Sequence, residues 1–129
     1  MNTVAAGIGI SRIGQIAINA HDVERAASFY QDALGLKLLF KAPPGLAFLD
    51  CGGVRLMLSR PEKPEFDHPS SILYFSVSDI RAAYATMKEK GVRFEDEPHM
   101  IAKMSDHDLW MVFFRDSEGN LMGLMSEVR

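Results

Sequence analysis

At 129 residues, 47% of them hydrophobic and 24% charged, the chain has the makeup of one globular domain, which excludes a disordered, collagen-like or coiled-coil polymer. Its 14 basic and 17 acidic side chains leave a formal net charge of −3, so there is no positive field to hold nucleic acid or an anionic lipid surface. No apolar run reaches the roughly 18 residues of a membrane span. The single cysteine, Cys51, precludes an internal disulfide, and residues 1–10 lack the parts of a leader peptide, so a reducing cytoplasm is expected.

Ile16 and Ile18 alternate with Gln15, Ala17 and Asn19, the period-two signature of a strand with one apolar face. Asp22 is placed to cap a helix in which Val23, Ala26, Ala27, Tyr30, Ala33 and Leu34 recur at helical spacing, and Gly35 suits the left-handed turn that ends it. Strands are expected at Leu36 to Phe40, Leu46 to Asp50 and Val54 to Ser59, the last two joined by the turn Cys51-Gly52-Gly53. Residues 59–71 carry Pro61, Pro64 and Pro69 and read as a linker. The same grammar then returns. Leu73, Phe75 and Val77 form a strand face, Asp79 caps, Ile80, Ala83, Tyr84 and Met87 form a helical stripe, and Gly91 closes it. Three more strands follow at Val92 to Glu95, Leu109 to Phe114 and Leu121 to Ser126, with a long hairpin over 97–110 and turn chemistry from Asp116 to Asn120.

Asp22 and Asp79 stand 57 positions apart, and the turn glycines Gly53 and Gly119 stand 66 apart. A repeat of this kind dictates architecture. The expected fold class is α+β, one domain over residues 1–129 built from two βαβββ modules in tandem. Module 1 spans about 13–59, the linker about 60–71 and module 2 about 72–127. If the alternating apolar residues face the helices, the opposite face carries Gln15, Ala17, Asn19, Arg55, Met57, Ile72, Tyr74, Ser76, Leu121, Gly123 and Met125. That face is mostly apolar with a few polar handles, the character of a small-molecule pocket, and Gly123 leaves room in it. Arg55 suits a bidentate carboxylate contact, against a surface salt bridge. The Tyr74 hydroxyl suits a ligand hydrogen bond or acid catalysis, against a structural bond. Trp110 suits ring stacking, although its strand is apolar on both faces and leaves its direction open. Cys51 reads as a structural thiol, and Gly7-Ile8-Gly9 with Gly14 lacks the third glycine of a dinucleotide fingerprint.

The opening Asn19-Ala20-His21-Asp22-Val23, Phe29-Tyr30 and Ala33-Leu34-Gly35-Leu36, together with the closing segment Phe113 to Asn120, resemble the vicinal-oxygen-chelate superfamily. That group contains glyoxalase I, bleomycin-resistance proteins, fosfomycin-resistance enzymes, methylmalonyl-CoA epimerases and extradiol dioxygenases. The resemblance covers residues 13–127. It implies a cup-shaped mixed sheet, a small-molecule or metal site on the concave face, and usually a homodimer. Metal-dependent members place ligands seven residues before the capping aspartate and four after the turn glycine. Those positions are Gln15, Ile72, Met57 and Gly123 here, and only Gln15 offers an oxygen, whereas a zinc site needs at least three good ligands. No cofactor or metal is therefore expected at the usual place. A displaced site through His99, His107 and Asp108 is the alternative, weighed against a solvated hairpin tip turning at Ser105 and Asp106. The resulting expectation is a metal-independent, homodimeric binder of a small, partly apolar molecule, with no nucleic-acid or membrane partner. The rival is a glyoxalase-like lyase, isomerase or dioxygenase using a non-standard metal or acid/base chemistry from Tyr74 or a histidine. A third reading is an interaction module with a filled cup.

Overall fold

Both helices start where a carboxylate meets the free N–H groups of a first turn. Asp22 Oδ1 accepts from the Arg25 N–H at 3.0 Å, and Asp79 Oδ1 accepts from the Ala82 N–H at 3.0 Å. The computed structural model describes residues 7–129; the leader-peptide reading falls largely on residues 1–6, outside the described residues. The first repeat contains β1 (Gln15–Asn19), α1 (Val23–Asp32), β2 (Lys37–Ala42), β3 (Leu46–Cys51) and β4 (Val54–Ser59). A single 3-10 turn, Pro64–Phe66, interrupts the linker. The second repeat contains β5 (Leu73–Ser76), α2 (Ile80–Glu89), β6 (Arg93–Phe94), β7 (His99–Lys103), β8 (Asp108–Arg115) and β9 (Leu121–Val128).

Each repeat makes its own mixed sheet, in the order β1-β4-β3-β2 and β5-β9-β8-β6, with β7 also paired to β8. The registers repeat as well: Ala17 pairs with Met57 in the parallel β1/β4 ladder, and the corresponding pair in β5/β9 is Tyr74 with Gly123. The third expected element of the second repeat differs. Its strand shrinks to two residues, and the segment expected as a hairpin arm forms β7, so β6 and β7 together are one interrupted edge of β8. The cause is local. Pro98 has no N–H to give to a ladder, and at the break the Phe113 N–H is taken by Asp96 Oδ1 at 3.0 Å while the Glu95 N–H donates to the Phe113 carbonyl at 2.8 Å. The turn at Ser105 and Asp106 is present, closed by the Met104 N–H on the His107 carbonyl at 2.8 Å.

The helix-covered faces form one continuous core. Ile18, Ala47, Leu49, Leu56 and Leu58 pack under Ala26, Ala27 and Tyr30 of α1, and Val112, Phe114, Met122 and Leu124 pack under Ile80 and Met87 of α2. A buried polar knot joins the repeats. The Tyr30 hydroxyl donates to Asp116 Oδ2 at 2.6 Å, and Asp116 also accepts from the Glu118 and Asn120 N–H groups and from Asn120 Nδ2. Arg25 of α1 pairs with Glu118 at 2.8 Å. Among the described residues no helix is long and apolar enough to cross a membrane.

Candidate functional site

The faces turned away from the helices are ordered by strand register into rows. Across the first sheet, Lys37, Asp50, Arg55 and Gln15 stand side by side, the next row is Phe40, Phe48, Met57 and Ala17, and the third is Ala42, Leu46, Ser59 and Asn19. In the apolar middle row Phe40 is 48% exposed and stacks on the buried Phe48 with ring centroids 4.5 Å apart. Arg55 lies over the Phe48 ring at 5.2 Å and donates from Nε to Gln15 Oε1 at 2.8 Å, and the Gln15 amide reaches Met57 Sδ at 3.5 Å. On the second sheet the corresponding face carries Tyr74, Gly123 and Phe113 in one row and Ser76, Met125 and Met111 in the next.

The two faces end at a cleft of about 670 Å³ between the repeats. Asn19, Ile72 and Leu121 line it, with His21 from the turn between β1 and α1 and with Asp67 and His68 brought in by the linker. His21 Nε2 sits 2.7 Å from Asp67 Oδ1, and Asn19 Nδ2 donates to the same oxygen at 3.0 Å. The hydrogen bonds from His21 and then Asn19 hold the Asp67 carboxyl below its ordinary range. Asn19 is a rivet as much as a contact. Its N–H donates to Ser70 Oγ, its carbonyl accepts from Asn120 Nδ2, and its Oδ1 is buried without a partner.

The sequence matches the profile of the Glyoxalase/Bleomycin resistance protein/Dioxygenase superfamily over residues 12–124. The chain belongs to this superfamily. It is 33% identical over 125 residues to a glyoxylase-like domain-containing protein of Didymella fabae, covering 84% of this chain and 88% of that protein. It is 29% identical over 121 residues to the uncharacterized protein YraH of Bacillus subtilis, covering 84% and 92%. Among solved structures it resembles a superfamily member from Sphaerobacter thermophilus, with TM-score 0.75, 26% identity and coverage of 92% and 98%. It shares the fold of the lactoylglutathione lyase of Agrobacterium tumefaciens, with TM-score 0.72, 23% identity and coverage of 91% and 94%.

The four positions that hold the superfamily's metal do not form a donor set here. Gln15, the one oxygen donor, is engaged by Arg55 through Oε1 and by Met57 through Nε2. At Gly123 a side chain would press on its neighbours, because a Cβ there would lie 3.1 Å from Tyr74 Cδ2 and 3.2 Å from Phe113 Cε1. The room expected at Gly123 is therefore filled by two aromatic rings, which meet edge to face at 5.7 Å. Thioether and aliphatic carbon at Met57 and Ile72 add nothing a hard divalent cation would choose.

The hairpin alternative is not assembled either. His99 pairs across from Met111, whereas His107 lies beyond the other end of β7, roughly 13 Å along the strand. Each group serves a neighbour: His99 Nδ1 lies 2.8 Å from the Glu97 carbonyl, His107 Nδ1 lies 2.7 Å from Asp106, and Asp108 faces Lys103 at 3.6 Å. Among the described residues no three His, Cys, Asp or Glu side chains converge as a metal-binding group.

Trp110, whose direction the sequence left open, points to the helix side and not to the open face where a ligand contact would need it. It shares its row with buried Ser126, packs against the core, and lies under Arg81 of α2 at 4.9 Å from the ring centroid. Val112 and Phe114, on the same side of β8, take the core positions beneath α2, so alternation carries Trp110 with them. Cys51 is half-buried, and burial followed by the neighbouring Asp50 pushes its thiol up, away from thiolate chemistry. The sequence reasoning missed Phe40, Phe48, Met111 and Phe113. Alternation along β1, β4, β5 and β9 had located the open face, and the same count carried through β3 finds Phe48; Phe40 is displaced by the register shift between Leu38 and Phe40 in β2, and β8, apolar on both sides, gives no direction for Met111 and Phe113. The His21–Asp67 pair had no sequence signal, because its members are separated by a repeat and a proline-rich linker.

Proposed function

We propose that this protein binds a small, partly apolar molecule without the superfamily's metal ion. The observation that carries the reading is the cleft of about 670 Å³ between the two repeats, which is within the size range of small-molecule sites. Its walls mix apolar Ile72 and Leu121 with polar Asn19 and His21 and with charged Arg25, Asp67, Arg115 and Glu118. The engaged Gln15 and the ring-filled Gly123 position support the absence of the usual metal chemistry. Half-exposed Phe40, Ile72 and Tyr74 support assembly as a homodimer, which would cover apolar surface that one chain leaves in water. A single cysteine fits a reducing compartment.

The test is divalent-metal content of protein purified without chelator or metal-affinity resin, alongside His99→Ala and His107→Ala, followed by a thermal-shift ligand screen. The reading expects no stoichiometric metal and stabilisation by some neutral or charged small molecules. Near-stoichiometric metal in the wild type would overturn it.

A second reading has its own observation. Asp67 orients His21 through Nε2, and among the described residues His21 Nδ1 makes no hydrogen bond, the arrangement of an imidazole base held by a carboxylate. An acid/base lyase or isomerase working in the cleft would lose activity on His21→Gln, with its pH profile displaced in Asp67→Asn. An assay for the activity named for the Agrobacterium neighbour, lactoylglutathione lyase, is the first to run.

A further inference from the structure

Residues 61–70 pass from the first repeat to the second as a strap fastened at a single place. Among the described residues, every hydrogen bond from the strap to the rest of the chain goes to Asn19 or His21. The Asn19 N–H donates to Ser70 Oγ at 2.8 Å, Asn19 Nδ2 donates to Asp67 Oδ1 at 3.0 Å and to the His68 carbonyl at 3.1 Å, and His21 Nε2 lies 2.7 Å from Asp67 Oδ1. Residues 62–69 are all exposed, Phe66 among them at 51%, so no apolar side chain pins the strap to the core. Pro61, Pro64 and Pro69 and the 3-10 turn Pro64–Phe66 stiffen it, and the Arg60 N–H on the Gly45 carbonyl at 3.1 Å fixes where it begins. The fastening is imperfect, because Asn19 Oδ1 is buried without a partner, and an unmet acceptor disfavours the closed arrangement. The strap is also a partition. Asn19, His68, Pro69 and Ser70 line both the cleft of about 670 Å³ and a second space of about 370 Å³, whose other walls include Ile18, Ser59 and Phe66.

We propose that the strap is a latched wall of the cleft: it swings away as one stiff piece when Asn19 and His21 release it, both sheets stay folded, and the two spaces become one larger site. Four bonds at a mostly exposed segment, all replaceable by water, hold far less firmly than the ladder between β1 and β4, so the strap opens well before the sheets do. Opening admits a ligand longer than the closed cleft holds, and it frees the Asn19 carboxamide and the His21 imidazole for that ligand. The device has a use only if the cleft binds a small molecule, as proposed above, yet the opening itself belongs to the free protein.

Amide hydrogen exchange of the full-length protein without ligand reads the opening, because adjacent amides report different events. The Asn19 N–H is bonded to the strap, and the Ala20 N–H to the Ser59 carbonyl of β4 at 3.0 Å. Relative to the intrinsic rate of each amide, Asn19 is expected to exchange at least about tenfold faster than Ala20, with its rate flat at low urea while that of Ala20 rises. Asp67→Ala removes two of the four latch bonds and should speed Asn19 at least about fivefold more, with Ala20 unmoved, which also verifies that the variant is folded. Glu65→Ala, on the strap but without a side-chain bond among the described residues, should leave both rates as they are. Equal protection of Asn19 and Ala20 with the same urea dependence would overturn the proposal and leave the cleft with a fixed wall. An Asn19 amide without protection would overturn it too, as would Asp67→Ala acting equally on both amides or no more strongly than Glu65→Ala. None of these results bears on the ligand screen, by which the cleft reading is judged separately.

Discussion

The tie between Tyr30 and Asp116 is the most exact place to perturb how the repeats are joined. Tyr30 is fully buried and Asp116 is 2% exposed, and among the described residues the carboxylate has no cationic partner, only donors: the Tyr30 hydroxyl at 2.6 Å, two backbone N–H groups at 2.8 Å and Asn120 Nδ2 at 3.0 Å. Tyr30→Phe keeps the ring and removes one of four donors. A hydrogen bond to a charged group is worth about 1.5–3 kcal/mol, and because Asp116 Oδ2 keeps Asn120 the expected loss is about 2 kcal/mol. For a domain of this size that is a fall in Tm of about 6 °C. The assay is urea unfolding paired with a thermal melt, with the midpoint lowered and the slope unchanged. A pH arm adds a second readout. Burial first, then the Asp116 charge and hydrogen bond, raise the Tyr30 pKa well above its ordinary 10.0. The protonated form is thus favoured in the folded state, and its stabilisation is complete below pH 10 and declines as pH climbs towards the raised folded value. The gap between wild type and Tyr30→Phe should therefore narrow above pH 10. A loss below about 0.5 kcal/mol, or a gap that widens in alkali, would refute the account of an ionised carboxylate held by this hydroxyl.

Glu118 gives the opposite pH sense. Burial alone would raise its pKa, but bonds from Arg25, the Asp22 N–H and Ser117 outweigh that and lower it, so its contribution is full above the ordinary value of 4.5 and fades as pH falls through the lowered one. Glu118→Gln should lower Tm by a few degrees at pH 7 and by less in acid, read by thermal melts across pH 3–7; equal losses throughout would count against it. Gly123→Ala should cost about 1 kcal/mol, at the low end for overpacking, because the half-exposed Tyr74 ring can yield to the new methyl group; denaturant unfolding measures it, and a stabilised variant would show that the space is open after all.

Much of the architecture was legible before any tertiary structure. The two carboxylate caps, the helical stripes and the alternation along the strands all follow from local chemistry and periodicity, and the recurrence of Asp22 at Asp79 set both modules in the same grammar. Pro98 and Asp96 break the edge strand of the second repeat by chemistry that can also be read locally, though the resulting return of the chain as β7 requires β8 beside it.

What the sequence by itself determined about this protein is which residues alternate, where helices begin, and that the customary metal positions hold Gln15, Met57, Ile72 and Gly123. Only tertiary structure decided what those positions are doing instead. Gly123 is filled because Tyr74 and Phe113 arrive from neighbouring strands, Gln15 is occupied because Arg55 stands beside it in register, and Trp110 faces α2 because β8 is apolar on both sides and its periodicity gives no direction. The His21–Asp67 pair likewise exists only once the linker folds back across β1. Short-range pattern records the preferences of a chain for itself, whereas a site is made by side chains distant in sequence, and their meeting is settled by packing.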